Sequence, residues 1–182
     1  MGSESSQSRN YLLLLIIIAA VYFLPGLITP REFWQADEAR YAQIIKEMLL
    51  DNNWLVLRLN GYYYPDKPPL FFWLTASSAT IFGGISVFSM MLLPYLSSIA
   101  ALWAVYLLGS RLFDRQTGFW SALILMGMYS FYTMGTFIRM DMLMTFFIVL
   151  ALYFFVSGYE LQRRFYFTLF WIFSALAVMT KG

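Results

Sequence analysis

Acids, bases and phenols in this 182-residue chain concentrate in three places. Trp34-Gln-Ala-Asp37-Glu38-Ala-Arg40-Tyr41 sets two adjacent carboxylates one helical turn before a phenol. Arg58-Leu-Asn-Gly-Tyr-Tyr-Tyr64-Pro-Asp66-Lys67-Pro-Pro69 carries an acid and a base directly before a rigid dipeptide, and Arg139-Met-Asp141 places opposite charges either side of one methionine. A carboxylate can position or deprotonate an attacking group. Lys and Arg can hold a phosphate, and a phenol can donate to one. The chain has no cysteine and no histidine, so acid–base work falls to Asp, Glu, Lys or Tyr. Each motif also has a plainer structural reading, as a helix N-cap, a loop-to-helix junction and a helix-end ion pair respectively. What raises the chemical reading is whether the rest of the chain brings them together.

The rest of the chain is oily. It is 60% hydrophobic and only 12% charged, about half the charge of a soluble domain. Long runs carry no charge: residues 10–30, 70–110, 116–138, 142–159 and 165–180. A helix needs about 20 residues to cross the hydrocarbon of a bilayer, so the expectation is an all-α, polytopic bundle of membrane-spanning helices. Aromatic residues, 20% of the chain, cluster at run ends as an interfacial belt would place them. A net charge of +2, scattered, excludes nucleic acid as a partner. Residues 1–10 are polar and Ser-rich, and disorder is expected there. The first run lacks a small-x-small cleavage site and reads as a retained span. The chain stops directly after an apolar run, and the expectation is the amino-terminal part of a longer protein.

Charge decides the topology. Residues 70–110 could form two spans, or a surface or re-entrant segment (69–83) followed by one span. In the second layout Arg9, Arg111, Arg115, Arg163 and Arg164 share the cytoplasmic side, as positive charge in short loops should. The spans are then 11–28, 87–108, 117–137, 142–158 and 165–180, with an outer loop over 29–86. Within that loop Tyr41, Ile44, Ile45, Met48 and Leu49 keep the spacing of one helix face, which predicts an amphipathic helix over 37–50 lying along the membrane. Asp37 falls at its N-cap. This layout brings Asp37, Asp66 and Asp141, with Lys67 and Arg139, to one membrane face, a constellation suited to a phosphate-bearing lipid. A transporter or lipid flippase is the rival reading, but such proteins tend to carry ionisable residues inside their spans, whereas these five spans are free of charge and the acids collect at one face.

Asp37-Glu38-Ala-Arg40-Tyr41, Leu59-Asn-Gly, Asp66-Lys67-Pro-Pro-Leu70, Arg139-Met-Asp141-Met-Leu143 and Thr180-Lys-Gly182 resemble the amino-terminal part of the GT-C fold polyprenyl-phosphate-sugar-dependent glycosyltransferases. Within that class the aminoarabinose transferase and protein O-mannosyltransferase superfamily is the nearest likeness. The resemblance implies amphipathic juxtamembrane helices in the first outer loop, and inverting transfer of a sugar from an undecaprenyl phosphate donor at the periplasmic face of a bacterial inner membrane. The acceptor it implies is a lipid A, a glycan or a protein. It further implies Asp37 as the catalytic acid of the loop with Glu38 beside it, and Asp141 as a second acid. Lys67, Tyr41, Tyr64 and Arg139 would bind the donor phosphate. Relatives carry Glu where this chain has Asp66, and use it with downstream histidines for a divalent cation (Zn, Mg or Mn), so only part of a metal site is expected within these residues.

Overall fold

The computed structural model describes residues 10–34 and 36–182. The disorder expected over residues 1–10 therefore concerns, apart from Asn10, residues outside those described. Among the described residues there are eight helices and one small hairpin: α1 (Gly2–Ile28), α2 (Ala36–Leu50), β1 (Arg58–Leu59), β2 (Tyr62–Tyr63), α3 (Leu70–Ile81), α4 (Val87–Leu112), α5 (Arg115–Met126), α6 (Tyr129–Thr136), α7 (Asp141–Leu161) and α8 (Arg164–Thr180).

Among the described residues three helices are individually long and apolar enough to cross a membrane: α1 from Asn10, α4 and α7. The expected span over 165–180 is α8, a shorter apolar helix of 17 residues. The one expected over 117–137 is broken. Gly127 ends α5, its N–H returning to the Leu123 carbonyl, and Met128 turns extended before α6 begins. The two pieces, 12 and 8 residues, measure about 18 and 12 Å at about 1.5 Å per residue. Glycine inside a helix costs about 1 kcal/mol relative to alanine, enough to favour an interruption where the next turn packs better after re-aiming. The uniformly apolar sequence gives no sign of it.

α4 is the central strut, packed against α1, α3, α5, α6 and α7, while α8 rests mainly on α7. Its amino end is set by a capping box, with Ser86 accepting from the Ser89 N–H and the Ser89 side chain accepting from the Ser86 N–H. α3, at 12 residues, reaches about 18 Å, well short of the hydrocarbon thickness. It turns back through Gly83 and Gly84, both at positive φ, and the Ser78 hydroxyl donates to the Ser89 carbonyl at the start of α4. Thus α3 and α4 form a helix–turn–helix joined at Ser78 and Ser89.

Two apolar cores result. One joins α1, α4, α5 and α6 through Leu15, Phe23, Leu102, Phe119 and Phe131. The other joins α2 and α3 to the start of α4 and α7 through Tyr41, Ile44, Phe71, Phe72, Met90 and Ile138. Arg111 pairs with Glu160 at 2.6 Å at the opposite end of the bundle, the end that also carries Arg115, Arg163 and Arg164.

Candidate active site

Helix α2 positions the first motif. Its buried face consists of Glu38, Tyr41, Ala42, Ile44, Ile45 and Met48, so the predicted apolar face is present and holds one carboxylate besides. The helix begins at Ala36, which makes Asp37 a residue of the first turn rather than the N-cap. The cap position itself, residue 35, lies outside the described residues. Asp37 still benefits from the helix dipole, but its carboxylate turns to arginines: Oδ1 lies 3.2 Å from Arg40 Nη1 and Oδ2 lies 3.8 Å from Arg139 Nη2.

Glu38 differs from its expected role beside Asp37. Its side chain is 0% exposed, and its two oxygens accept from Arg31 at 2.7 and 2.8 Å, from the Trp34 N–H at 3.0 Å and from the Ile138 N–H at 2.8 Å. Burial alone would raise this carboxyl, but the Arg31 guanidinium and the two backbone N–H groups outweigh it and hold the group below its ordinary value. Both oxygens of Glu38 are thus engaged inside the protein, each by two donors.

Asp141 opens α7 and accepts from two cations, Lys181 Nζ at 2.7 Å and Arg139 Nε at 3.1 Å. The Arg40 guanidinium also lies beside the Tyr64 hydroxyl. A continuous chain of opposite charges therefore runs Lys181, Asp141, Arg139, Asp37, Arg40, with three cations against two carboxylates. The Tyr41 phenol lies among them, its ring edge-on to Phe71 and Phe72. Burial first, and then the nearby Asp37 carboxylate, push it up to about 12, so it remains a proton donor throughout the neutral range.

The second motif is carried by the hairpin. Asn60 (φ 55) and Gly61 (φ 82) form its turn, the left-handed pair that a tight two-residue hairpin requires. Glu47 of α2 clamps that turn by accepting from the Asn60 and Gly61 N–H groups at 2.7 and 3.0 Å. Tyr62 and Tyr63 point outward at 80% and 73% exposed, whereas Tyr64 is buried against Phe72. Lys67 lies half-buried, lining a cavity of about 330 Å3 with Leu55, Leu57, Tyr63 and Tyr64. Pro69 then caps α3, the junction that the Pro-Pro pair predicts, and Trp73 donates its indole N–H to the Trp54 carbonyl to hold the loop down.

The expected cation ligand, Asp66, is exposed. Among the described residues no three acidic groups converge so as to hold a metal, and these residues do not form a complete cation site. Of the remaining expected site residues, Asp37, Tyr41, Arg139, Asp141 and, through Arg40, Tyr64 come together. Sequence reading missed Arg31, Arg40 as a bridge, Glu47 and the placement of Lys181. Only Lys181 had a signal, as part of the Thr-Lys-Gly ending.

An all-α membrane bundle whose polar end presents acids and cations from the segment after α1 and from the α6–α7 junction is the GT-C glycosyltransferase architecture. ArnT from Cupriavidus metallidurans, solved bound to undecaprenyl phosphate, shares it at a TM-score of 0.84 and 25% identity, over 95% of this chain and 32% of that one. The chain belongs to the dolichyl-phosphate-mannose-protein mannosyltransferase family, whose model matches residues 66–182. The undecaprenyl phosphate-alpha-4-amino-4-deoxy-L-arabinose arabinosyl transferase of Enterobacter sp. (strain 638) is 32% identical over 184 residues, covering 97% of this chain and 32% of the relative. The Archaeoglobus fulgidus oligosaccharyltransferase, in its complex with Zn and sulfate, has the same fold at a TM-score of 0.70 and 18% identity, over 91% of this chain and 25% of its own. The chain spans about a third of the length of the curated relatives it matches.

Proposed function

We propose that this chain carries the first half of the active site of a membrane glycosyltransferase that moves a sugar from a polyprenyl phosphate, undecaprenyl phosphate by analogy with the bacterial relatives, to a lipid A, glycan or protein acceptor. The reaction belongs at the periplasmic face of a bacterial inner membrane. The observation that carries this reading is the surplus of cations, Arg40, Arg139 and Lys181 around Asp37 and Asp141, at one end of an apolar bundle. A crevice of about 260 Å3 between α7 and α8, lined by Met144, Ile148, Leu152 and Phe170, ends at Lys181. This combination suits a lipid tail with an anionic head.

In the step itself an acceptor oxygen attacks the anomeric carbon, and the bond from that carbon to the phosphate oxygen breaks with inversion. Polyprenyl phosphate leaves. Lys67, Arg139 and the phenols of Tyr41 and Tyr64 offset the charge that develops on the leaving phosphate. Asp37 takes the proton of a hydroxyl acceptor, whereas an acceptor phosphate is already ionised and needs only orientation. Asp141 acts by holding Arg139 and Lys181 in place. The archaeal relative was solved in complex with Zn, and Asp66 could contribute to such a cation site only alongside ligands beyond these residues.

The test is turnover of radiolabelled undecaprenyl-phosphate sugars by membranes containing the full-length protein. Transfer by wild type, strongly lowered but still measurable in Asp37→Asn and lowered in Lys67→Ala at normal expression, is the expected result. Transfer undiminished in both variants would overturn the site, and absence of transfer with any donor would overturn the reaction.

A further inference from the structure

The Arg31–Glu38 pair has no part in the transfer step just described, yet it is the most enclosed polar feature of the site. Arg31 is 7% exposed at its side chain. It lies over the rings of Trp34 and Phe137, each 5.6 Å from its guanidinium carbon, and its Nη2 reaches the Thr136 carbonyl at 3.5 Å. Glu38 gathers the Arg31 fork, the Trp34 N–H and the Ile138 N–H. One carboxylate thereby ties together three segments: the chain leaving α1, the first turn of α2 and the junction between α6 and α7.

The neighbours of the two tied points are the groups that matter. Asp37 precedes Glu38 and Arg139 follows Ile138, and these two face each other at 3.8 Å. Successive residues on a helix point about 100° apart, so the inward anchoring of Glu38 fixes the outward aim of Asp37. On the other side α6 is seated closely. A Cβ added to Gly135 would stand 2.6 Å from Ser98 Oγ and 2.7 Å from the Phe23 ring, and one added to Gly26 would stand 2.9 Å from Thr136. The junction therefore has little freedom to compensate if the pair is disturbed. A two-pronged guanidinium–carboxylate contact is directional, and taking away one partner leaves the other charge buried without compensation.

We infer that Arg31 and Glu38 are positioning residues: the buried pair sets Asp37 against Arg139, and neither member touches substrate. The kinetic consequence rests on the glycosyl-transfer reading, whereas the geometric claim can be measured without it.

The experiment uses the full-length protein in nanodiscs, with Glu38→Gln, which places an amide NH2 against N–H donors, and Arg31→Lys, which keeps the charge but loses the fork. Amide deuterium uptake is expected to rise in peptides covering 31–36 and 136–140 in both variants, with α4 unchanged. Turnover is expected to fall about 10- to 100-fold, the cost of a misplacement near 1 Å, with donor KM held within about twofold. In an Asp37→Asn background the further loss from Glu38→Gln should shrink to about threefold or less, because groups acting through one another are not additive. Unchanged uptake in the two segments would overturn the inference, as would uptake rising throughout the protein. An undiminished loss in the Asp37→Asn background would reduce the pair to general support of the fold. Inactive Glu38→Gln beside fully active Arg31→Lys would make Glu38 a group that acts on substrate. A wild type that transfers no sugar would count against the transfer reading alone, with the exchange data still deciding the pair.

Discussion

Lys181 Nζ lies 2.7 Å from Asp141 Oδ1, tying the residue after α8 to the first residue of α7 across 40 positions of sequence. The other Asp141 oxygen holds Arg139 at 3.1 Å. One carboxylate thus spaces two cations, and its removal frees Lys181 and leaves Arg139 held only by Asp37 at 3.8 Å. Asp141→Asn is expected to lower kcat/KM for the full-length protein by about 10- to 100-fold, with Asp141→Ala at least as damaging. Steady-state transfer assays check this, and a variant within twofold of wild type would refute it.

Glu47 controls the second motif from a distance. It accepts from the turn N–H groups of Asn60 and Gly61 and from Gln43, and the hairpin it clamps leads into Tyr64 and Lys67. Glu47→Ala should loosen the loop while leaving Asp37 and Arg139 in place. The expected signature is a rise in donor KM of about 5- to 10-fold with kcat little changed, the mark of lost ground-state binding. Direct titration with undecaprenyl phosphate would show the same weakening.

Glu38 is held below its ordinary value of 4.5, with burial opposing and Arg31 and two backbone N–H groups prevailing. A carboxyl that is more acidic folded than unfolded stabilises the fold above its unfolded value, and that contribution disappears as pH falls through the folded one. Wild type should therefore lose melting temperature on acidification below about pH 4.5. Glu38→Gln should be less stable at neutral pH and show a shallower acid-side loss. Thermal denaturation in detergent across the acid range checks both signs.

Tyr41, pushed up to about 12 by burial and then by Asp37, keeps its proton at every pH at which the enzyme would be assayed. Tyr41→Phe should therefore lower transfer without changing the alkaline side of the pH–rate profile. An alkaline limb abolished by this substitution would show that the phenol titrates in the working range.

Much of this was legible in the chain. The Tyr41, Ile44, Ile45, Met48 spacing gave the buried face of α2 because burial selects one stripe of a helix. Pro68-Pro69 marked the start of α3 through its fixed backbone. The interruption at Gly127 was hidden because an apolar run looks alike whether it forms one helix or two. Glu38 was grouped with Asp37 because adjacency in sequence says nothing of burial. Only its partners, Arg31 and the Ile138 N–H, reveal that it faces inward, and a backbone donor 100 residues away has no side-chain signature.

That 100-residue separation also has a meaning in time. Ribosomes add about 5 to 20 residues per second, so the backbone partner of Glu38 is made about 5 to 20 seconds after Glu38 itself. Arg31, seven positions earlier, is already present. The newborn loop can thus neutralise its acid at once while waiting for the α6–α7 junction to arrive and close the lock.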